Sequence, residues 1–260
     1  ILGNEFAGVV DTTGAEVKKF RKGQHVFGYT GEKMGAYAEY LCIAEDGFLS
    51  DMPEGMSFEE AAAVPMGALM ALNILEKADL QPGKRVLING ASGGIGSAAV
   101  QLAKQKGAEV TGVCGTPRIE YVRTLGADRI IDYTQEDFTS GDDTYDLVVD
   151  ILGKSSFSRC KKVLSPDGCY LRVSFKAVHL LQMLFTAGKR GKRLRCVLAV
   201  PATKDLETIK NLLDADALKT VVDRSFPMDE ASKAHRYVEQ GERKGPVVIV
   251  MKREGGIDEK

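Results

Sequence analysis

The chain of 260 residues lacks any cysteine pair in CxxC spacing; its five cysteines (Cys42, Cys114, Cys160, Cys169, Cys196) are scattered and odd in number. That argues against a disulfide scaffold and suits a reducing compartment, so the expected location is cytoplasmic. Charge of one sign is also lacking. With 35 Lys and Arg against 36 Asp and Glu, the formal net charge is −1, which gives no electrostatic case for nucleic acid as a partner. Long apolar runs are missing as well. The nearest, residues 61–75, is short and interrupted by Pro65 and Asn73, so no membrane partner is expected. Three histidines (His25, His179, His235) show no ligand spacing, and there are no internal repeats or low-complexity tracts. An initiator Met is absent too. The chain opens in Ile1-Leu-Gly-Asn-Glu-Phe-Ala-Gly-Val-Val10, which reads as the interior of a domain, so the expectation is a chain lacking its first segment.

What is present centres on a glycine-rich turn. Val86-Leu87-Ile88 reads as a buried strand, Gly90 to Gly96 as a turn, and Ser97 to Lys104 as a helix of small and apolar residues. Strand, glycine turn and helix are the parts that hold a pyrophosphate, because residues without Cβ let backbone approach it and free N–H groups at the helix start point toward it. The turn runs Ala91-Ser92-Gly93-Gly94-Ile95-Gly96, with Ala91 in the first glycine position. The next strand ends Val113-Cys114-Gly115-Thr116, followed by Pro117-Arg118. A site choosing NAD places an acid there, on the ribose 2′-hydroxyl. A small polar residue and a cation suit a 2′-phosphate instead, so NADPH is the expected cofactor; the plainer alternative is that Arg118 is a solvated residue in the first turn of a helix.

The textures on either side of the turn define the architecture. Up to about Ser57 the chain is dense in glycine, with short β-rich runs at Phe6–Val10, His25–Gly28 and Ala36–Ile43, as in part of a barrel. Ser57-Phe-Glu-Glu60 is a capping box opening a helix, which Pro65 interrupts before a second helix over Gly67–Lys77. From Gly83 onward strands and helices alternate. Strands are predicted at Val86–Asn89, Glu109–Cys114, Arg129–Asp132, Tyr145–Asp150, Tyr170–Ser174 and Arg195–Val200, with helices including Ile119–Leu125, Phe157–Leu164 and Leu206–Ala215. This is an α/β fold, a doubly wound parallel sheet covered on both faces. A last texture follows Thr220: a strand over Val221–Pro227, a helix over Asp229–Gln240 and a strand over Gly245–Met251.

Taken in order, the segments Gly3–Val10, Lys22–Gly28, Gly35–Tyr40, Glu60–Pro65, Ala91–Gln101, Leu125–Asp128, Asp146–Gly153 and Ala234–Glu239 resemble the medium-chain dehydrogenase/reductase superfamily, and within it the zinc-independent quinone oxidoreductase and enoyl reductase branch. The resemblance implies a GroES-like barrel (residues 1–75), a Rossmann domain (76–216) and a C-terminal segment (217–260) returning to the barrel. It implies that Arg118 and Tyr133 grip the 2′-phosphate of NADPH and that Asp150-Ile-Leu-Gly153 lies near the nicotinamide end. It also implies that residues preceding Gly3 in the family build barrel strands and part of the pocket. Zinc-dependent relatives carry His and Cys ligands where this chain has Asn4 and Met66, and they carry a four-cysteine lobe it lacks, so no metal is expected.

Without zinc, hydride transfer is easiest to substrates already activated by an electron-withdrawing group, which points to a quinone or an enone. No catalytic residue is assigned; Tyr29 and Tyr37 are hydroxyl candidates for a proton donor, each with a structural role as the plainer reading. Met70 stands where the family often has Thr beside the nicotinamide, and the change reads equally as a drier pocket or as core packing. Other readings stay open. A short-chain dehydrogenase would need Tyr-x-x-x-Lys after the glycine turn, and the one such spacing, Tyr29 to Lys33, precedes it. A zinc-type alcohol dehydrogenase is weakened by Asn4 and Met66. A binding protein that has lost catalysis draws on Leu180–Phe185 beside the basic run Lys189-Arg-Gly-Lys-Arg193, although a helix packed on its sheet and a solvated loop are the preferred reading. A homodimer is among the expectations.

Overall fold

The computed structural model describes residues 1–186, 191–241 and 243–251. Two compact units divide the chain after Met66 and after Pro201: one comprises Ile1–Met66 with the stretch from Ala202 onward, the other Gly67–Pro201. The sequence reading sets its divisions after residues 75 and 216.

The Gly67–Pro201 unit is built on one six-stranded sheet. Its strands are β4 (Arg85–Asn89), β5 (Glu109–Cys114), β6 (Arg129–Asp132), β7 (Tyr145–Asp150), β8 (Leu164–Arg172) and β9 (Arg193–Cys196). They run β6-β5-β4-β7-β8-β9, every neighbouring pair parallel. The order reverses between β4 and β7, the place where an open parallel sheet leaves a crevice at its carboxyl ends. Because both faces are covered, the strands read as near-continuous apolar runs: Val86, Leu87, Ile88, Val148 and Val149 are fully buried. Helix α2 (Pro65–Ala78) precedes β4, and α3 (Gly94–Gln105), α4 (Ile119–Thr124), α5 (Phe157–Cys160) and α6 (Ala177–Thr186) lie on crossovers between strands. Leu87, Val113, Tyr145, Val148, Val163 and Tyr170 form the centre of one apolar cluster.

In the other unit, β1 (Glu5–Val9), β2 (His25–Tyr29) and β3 (Phe48–Asp51) form an antiparallel sheet in that order, and β10 (Arg224–Pro227) pairs in parallel with β11 (Val247–Val250). Helices α1 (Phe58–Ala62), α7 (Thr203–Asp214) and α8 (Ala231–Glu239) complete it. The capping box predicted for α1 is present: Ser57 Oγ accepts from the Glu60 N–H, and the Glu60 carboxylate accepts from the Ser57 N–H.

Several elements depart from the sequence reading. Ala36–Ile43 forms no strand. Its Ala-Tyr-Ala-Glu alternation is spent on holding the chain start instead: the N–H groups of Ala36 and Tyr37 donate to the carbonyls of Gly3 and Leu2 at 2.9 and 2.8 Å. The third strand of that sheet is Phe48–Asp51, a short stretch after Gly47 that lies outside the three predicted runs. Pro65 opens α2 rather than standing before it, since a first-turn proline gives up an N–H that has no helical partner. Helix Phe157–Leu164 is shorter, ending in a 3₁₀ turn at Lys161–Val163, and β8 already starts at Leu164. The last sheet strand stops at Cys196 instead of Val200. Beyond it Asn73 on α2 captures the chain, donating to the Val200 carbonyl at 3.3 Å and accepting its N–H at 3.0 Å, while Lys77 donates to the Leu198 carbonyl. The strand predicted from Val221 begins at Arg224.

Candidate active site

The glycine turn follows β4 as predicted. Gly90 adopts φ +97°, and its carbonyl lies where a Cβ on Gly96 would stand, so residue 96 has to be glycine for α3 to start this close to the strand. Ala91 is fully buried, and its Cβ fits over Gly112 of β5. A methyl group is thus accommodated where the fingerprint has its first glycine. Gly93 caps α3 without a side chain, and a Cβ on Gly94 would meet nothing within 4 Å. Ser92 and Ile95 complete the turn. The first N–H groups of α3 have no partner within the helix, as at any helix start, and beside Gly94 there is open space for a phosphate. The residues present therefore fit a dinucleotide pyrophosphate.

The other predicted residues stand at the same edge of the sheet. Gly115 and Thr116 follow β5, Arg118 ends the 3₁₀ turn after it, Tyr133 follows β6 and Gly153 follows β7. The Tyr133 ring lies against Gly115, where a Cβ would be 3.2 Å from its hydroxyl, and the residue is 57% exposed. Thr116, Arg118 and Tyr133 thus gather at the ends of β5 and β6.

One member of that group was not anticipated. The Asp132 carboxylate accepts from Thr116 Oγ1 at 2.5 Å and from the N–H and Oγ1 of Thr134 at 2.9 and 2.7 Å. The hydrogen bond from Thr116, then those from Thr134, hold its carboxyl below the usual range. An acid is absent from the end of β5, but β6 delivers one to the same place. The signal was its position immediately before Tyr133.

In the first unit, Asn4 accepts the Thr30 N–H through its backbone carbonyl at 2.8 Å, and the Met66 N–H donates to Glu5 Oε1 at 2.8 Å. Burial pushes the Glu5 carboxyl up to about 7, with the Met66 hydrogen bond pulling the other way. A group that takes up and releases a proton near neutral pH therefore sits on β1 opposite Tyr29, a residue the sequence reading did not single out. Burial first, then the charge of Glu5, raises the Tyr29 hydroxyl; burial raises that of Tyr37, which lies 3.3 Å from His235 Nε2. His25 packs its ring on Phe58, and His179 Nδ1 accepts from the Lys176 N–H. Among the described residues no three His, Cys, Asp or Glu side chains gather as a metal site. Met70 is half-buried on α2.

Helix α6 packs on β9 through Met183, whose sulfur accepts the Cys196 N–H, but Leu181, Leu184 and Phe185 remain exposed. The preferred sequence reading, a helix spent on its sheet, holds for one face of α6. Lys189 and Arg190 of the basic run lie outside the described residues. Among the described residues no helix is long and apolar enough to cross a membrane.

A parallel sheet with a glycine turn after its first strand, in a chain that also carries an antiparallel β unit, defines a nucleotide-binding α/β class, and comparison with known proteins gives the family. Residues 1–54 match the alcohol dehydrogenase GroES-like domain and residues 125–249 the zinc-binding dehydrogenase family. A 2-methylene-furan-3-one reductase of Solanum lycopersicum is 33% identical over 96% of this chain, and an NADPH-dependent alkenal/one oxidoreductase of Arabidopsis thaliana chloroplasts is 30% identical over 96%. The chain spans 63% of the length of each. A quinone oxidoreductase from Coxiella burnetii superposes with a TM-score of 0.82 at 31% identity, over 95% of this chain and 78% of that one. The chain belongs to the medium-chain dehydrogenase/reductase superfamily, in its quinone oxidoreductase-like branch.

Proposed function

We propose that this chain serves an NADPH-dependent, zinc-independent reductase that delivers hydride to a quinone or to the activated C=C bond of an enone or enal. The observation that carries the reading is the gathering of Thr116, Arg118 and Tyr133 at the ends of β5 and β6, a cation and two hydroxyls set against the carboxylate of Asp132. Arg118 would pair with the 2′-phosphate, Tyr133 would flank the adenosine end, and the α3 start with Gly93, Gly94 and Gly96 would receive the pyrophosphate. When bound, NADPH supplies the hydride. The chain's part is to hold the cofactor, exclude water and orient the acceptor. The reductase names of the plant relatives support the same substrate class.

Zinc independence rests on ligand chemistry. An amide at Asn4 and a thioether at Met66 replace the imidazole and thiolate that hold a catalytic zinc. A second copy of the chain is the partner we propose, since β9 ends the six-stranded sheet and α6 beside it leaves Leu181, Leu184 and Phe185 uncovered.

The test is stopped-flow or steady-state oxidation of NADPH and of NADH with simple quinones and enones. Turnover of at least one acceptor with a clear NADPH preference is expected; equal use of NADH would overturn the cofactor assignment, and no turnover with any acceptor would overturn the activity.

A further inference from the structure

The loop after β7, residues 151–155, is held by a buried charged clamp that no step of the proposed reaction uses. Asp150, at the end of β7, is fully buried, and its two oxygens accept the backbone N–H groups of Gly153 and Ser155 at 3.0 and 3.1 Å. Arg172, at the end of β8, takes the other side of the same two residues. Its Nη1 donates to the Ser155 carbonyl at 2.7 Å and its Nη2 to the Gly153 carbonyl. Every backbone polar group of residues 153 and 155 is therefore bound by one of two charges. Asn89, at the end of β4, donates to Asp150 Oδ1 at 2.9 Å, and the Tyr170 hydroxyl donates to Asp150 Oδ2 at 2.6 Å.

The arrangement fixes more than itself. Gly153 has φ +65°, and a Cβ there would press on the Ser174 carbonyl at 2.9 Å, so this form of the loop requires glycine at 153. In that shape Leu152, 49% exposed, lies over Gly90 of the glycine turn, within 3.0 Å of where a Cβ on Gly90 would stand. Here both charges are spent on backbone groups of a loop beside the turn, at the carboxyl edge where the strand order reverses.

We infer that Asp150 and Arg172 are positioning residues: together they set the 151–155 loop, and through Leu152 the space over the glycine turn, in the form that receives the nicotinamide half of the cofactor. The inference rests on the dinucleotide reading of the site, not on the choice between NADPH and NADH, because that half is common to both.

The test compares a whole cofactor with its adenosine half in the full chain. Affinities for NADP+ and for 2′,5′-ADP are measured by calorimetry in the wild type, in Asp150→Asn and in Tyr170→Phe, with thermal melting and amide exchange alongside. In Asp150→Asn the amides of Gly153 and Ser155 should exchange faster. NADP+ binding should weaken about tenfold, worth about 1.4 kcal/mol, and 2′,5′-ADP binding should stay within about twofold. Tyr170→Phe removes one donor to Asp150 and keeps the ring, so a smaller loss with the same asymmetry is expected; it decides the matter if Asp150→Asn does not fold. Equal losses for both ligands, or no loss of NADP+ affinity in a variant that folds, would overturn the clamp. Failure of the wild type to bind 2′,5′-ADP would overturn the NADPH reading alone, and the same comparison with NAD+ and AMP then tests the clamp.

Discussion

Two carboxylates with opposite behaviour define the chemistry at the level of single residues. Asp132 is ionised at neutral pH, because Thr116 and Thr134 hold it below the usual range, and it is bonded to Thr116, which is proposed to stand beside the 2′-phosphate. A negative charge there opposes a phosphate and favours a hydroxyl. Asp132→Asn should therefore raise the NADPH-to-NADH ratio of kcat/KM several-fold, whereas Arg118→Ala should lower it by about tenfold or more through loss of a charge-assisted pair. Steady-state kinetics with both cofactors checks both. Glu5 behaves the other way. Its folded value of about 7 lies above the ordinary 4.5, so the folded state keeps a proton that the unfolded state gives up. That stability is whole below about pH 4.5, declines as pH rises toward 7 and is gone above it. Glu5→Gln should flatten this part of the profile and melt higher than the wild type at pH 8, as measured by calorimetric scans across pH 4–8.

At the level of elements, what could be read from the chain depended on whether the pattern was made locally. The β4 turn and α3 were legible because each needs only its own residues: an apolar run, glycines without Cβ, a helix of small side chains. Gly96→Ala should show how tight that packing is, since its Cβ would meet the Gly90 carbonyl. A loss of 1–3 kcal/mol or more is expected for such overpacking, read as a lower melting temperature together with lost NADP+ binding. Ser57→Ala, which removes one half of the α1 capping box, should cost about 1 kcal/mol. What escaped the sequence was made by distant partners. Ala36–Ile43 has the alternation of a strand but is spent on Gly3 and Leu2, and β3 exists because β2 offers it a ladder. Asp132, Glu5 and Asp150 are ordinary acids until the fold brings Thr116, Met66 and Asn89 to them.

For the molecule as a whole, the readings concern what it needs and what it joins. If the donors at Asn4 and Met66 leave no place for zinc, the purified protein should contain well under one zinc per chain by emission spectrometry. Dialysis against a chelator should then leave NADPH oxidation unchanged. If β9 and α6 meet a second copy, sedimentation equilibrium should give twice the mass of the chain, and Phe185→Glu should shift the population toward the monomer.

The hydrogen bond from Asn89 to Asp150 has a consequence for how the protein comes into being. It joins residues 61 apart, across the pair β4 and β7 where the strand order reverses. The glycine turn is a local structure and can take shape early, as soon as β4, α3 and β5 have been made. The crevice beside it is not, because it waits for a loop closure that brings β7 and then β8 alongside. During synthesis the chain therefore carries a recognisable glycine turn well before it carries the crevice beside it, and β8, which follows β7, brings Arg172 to the far wall.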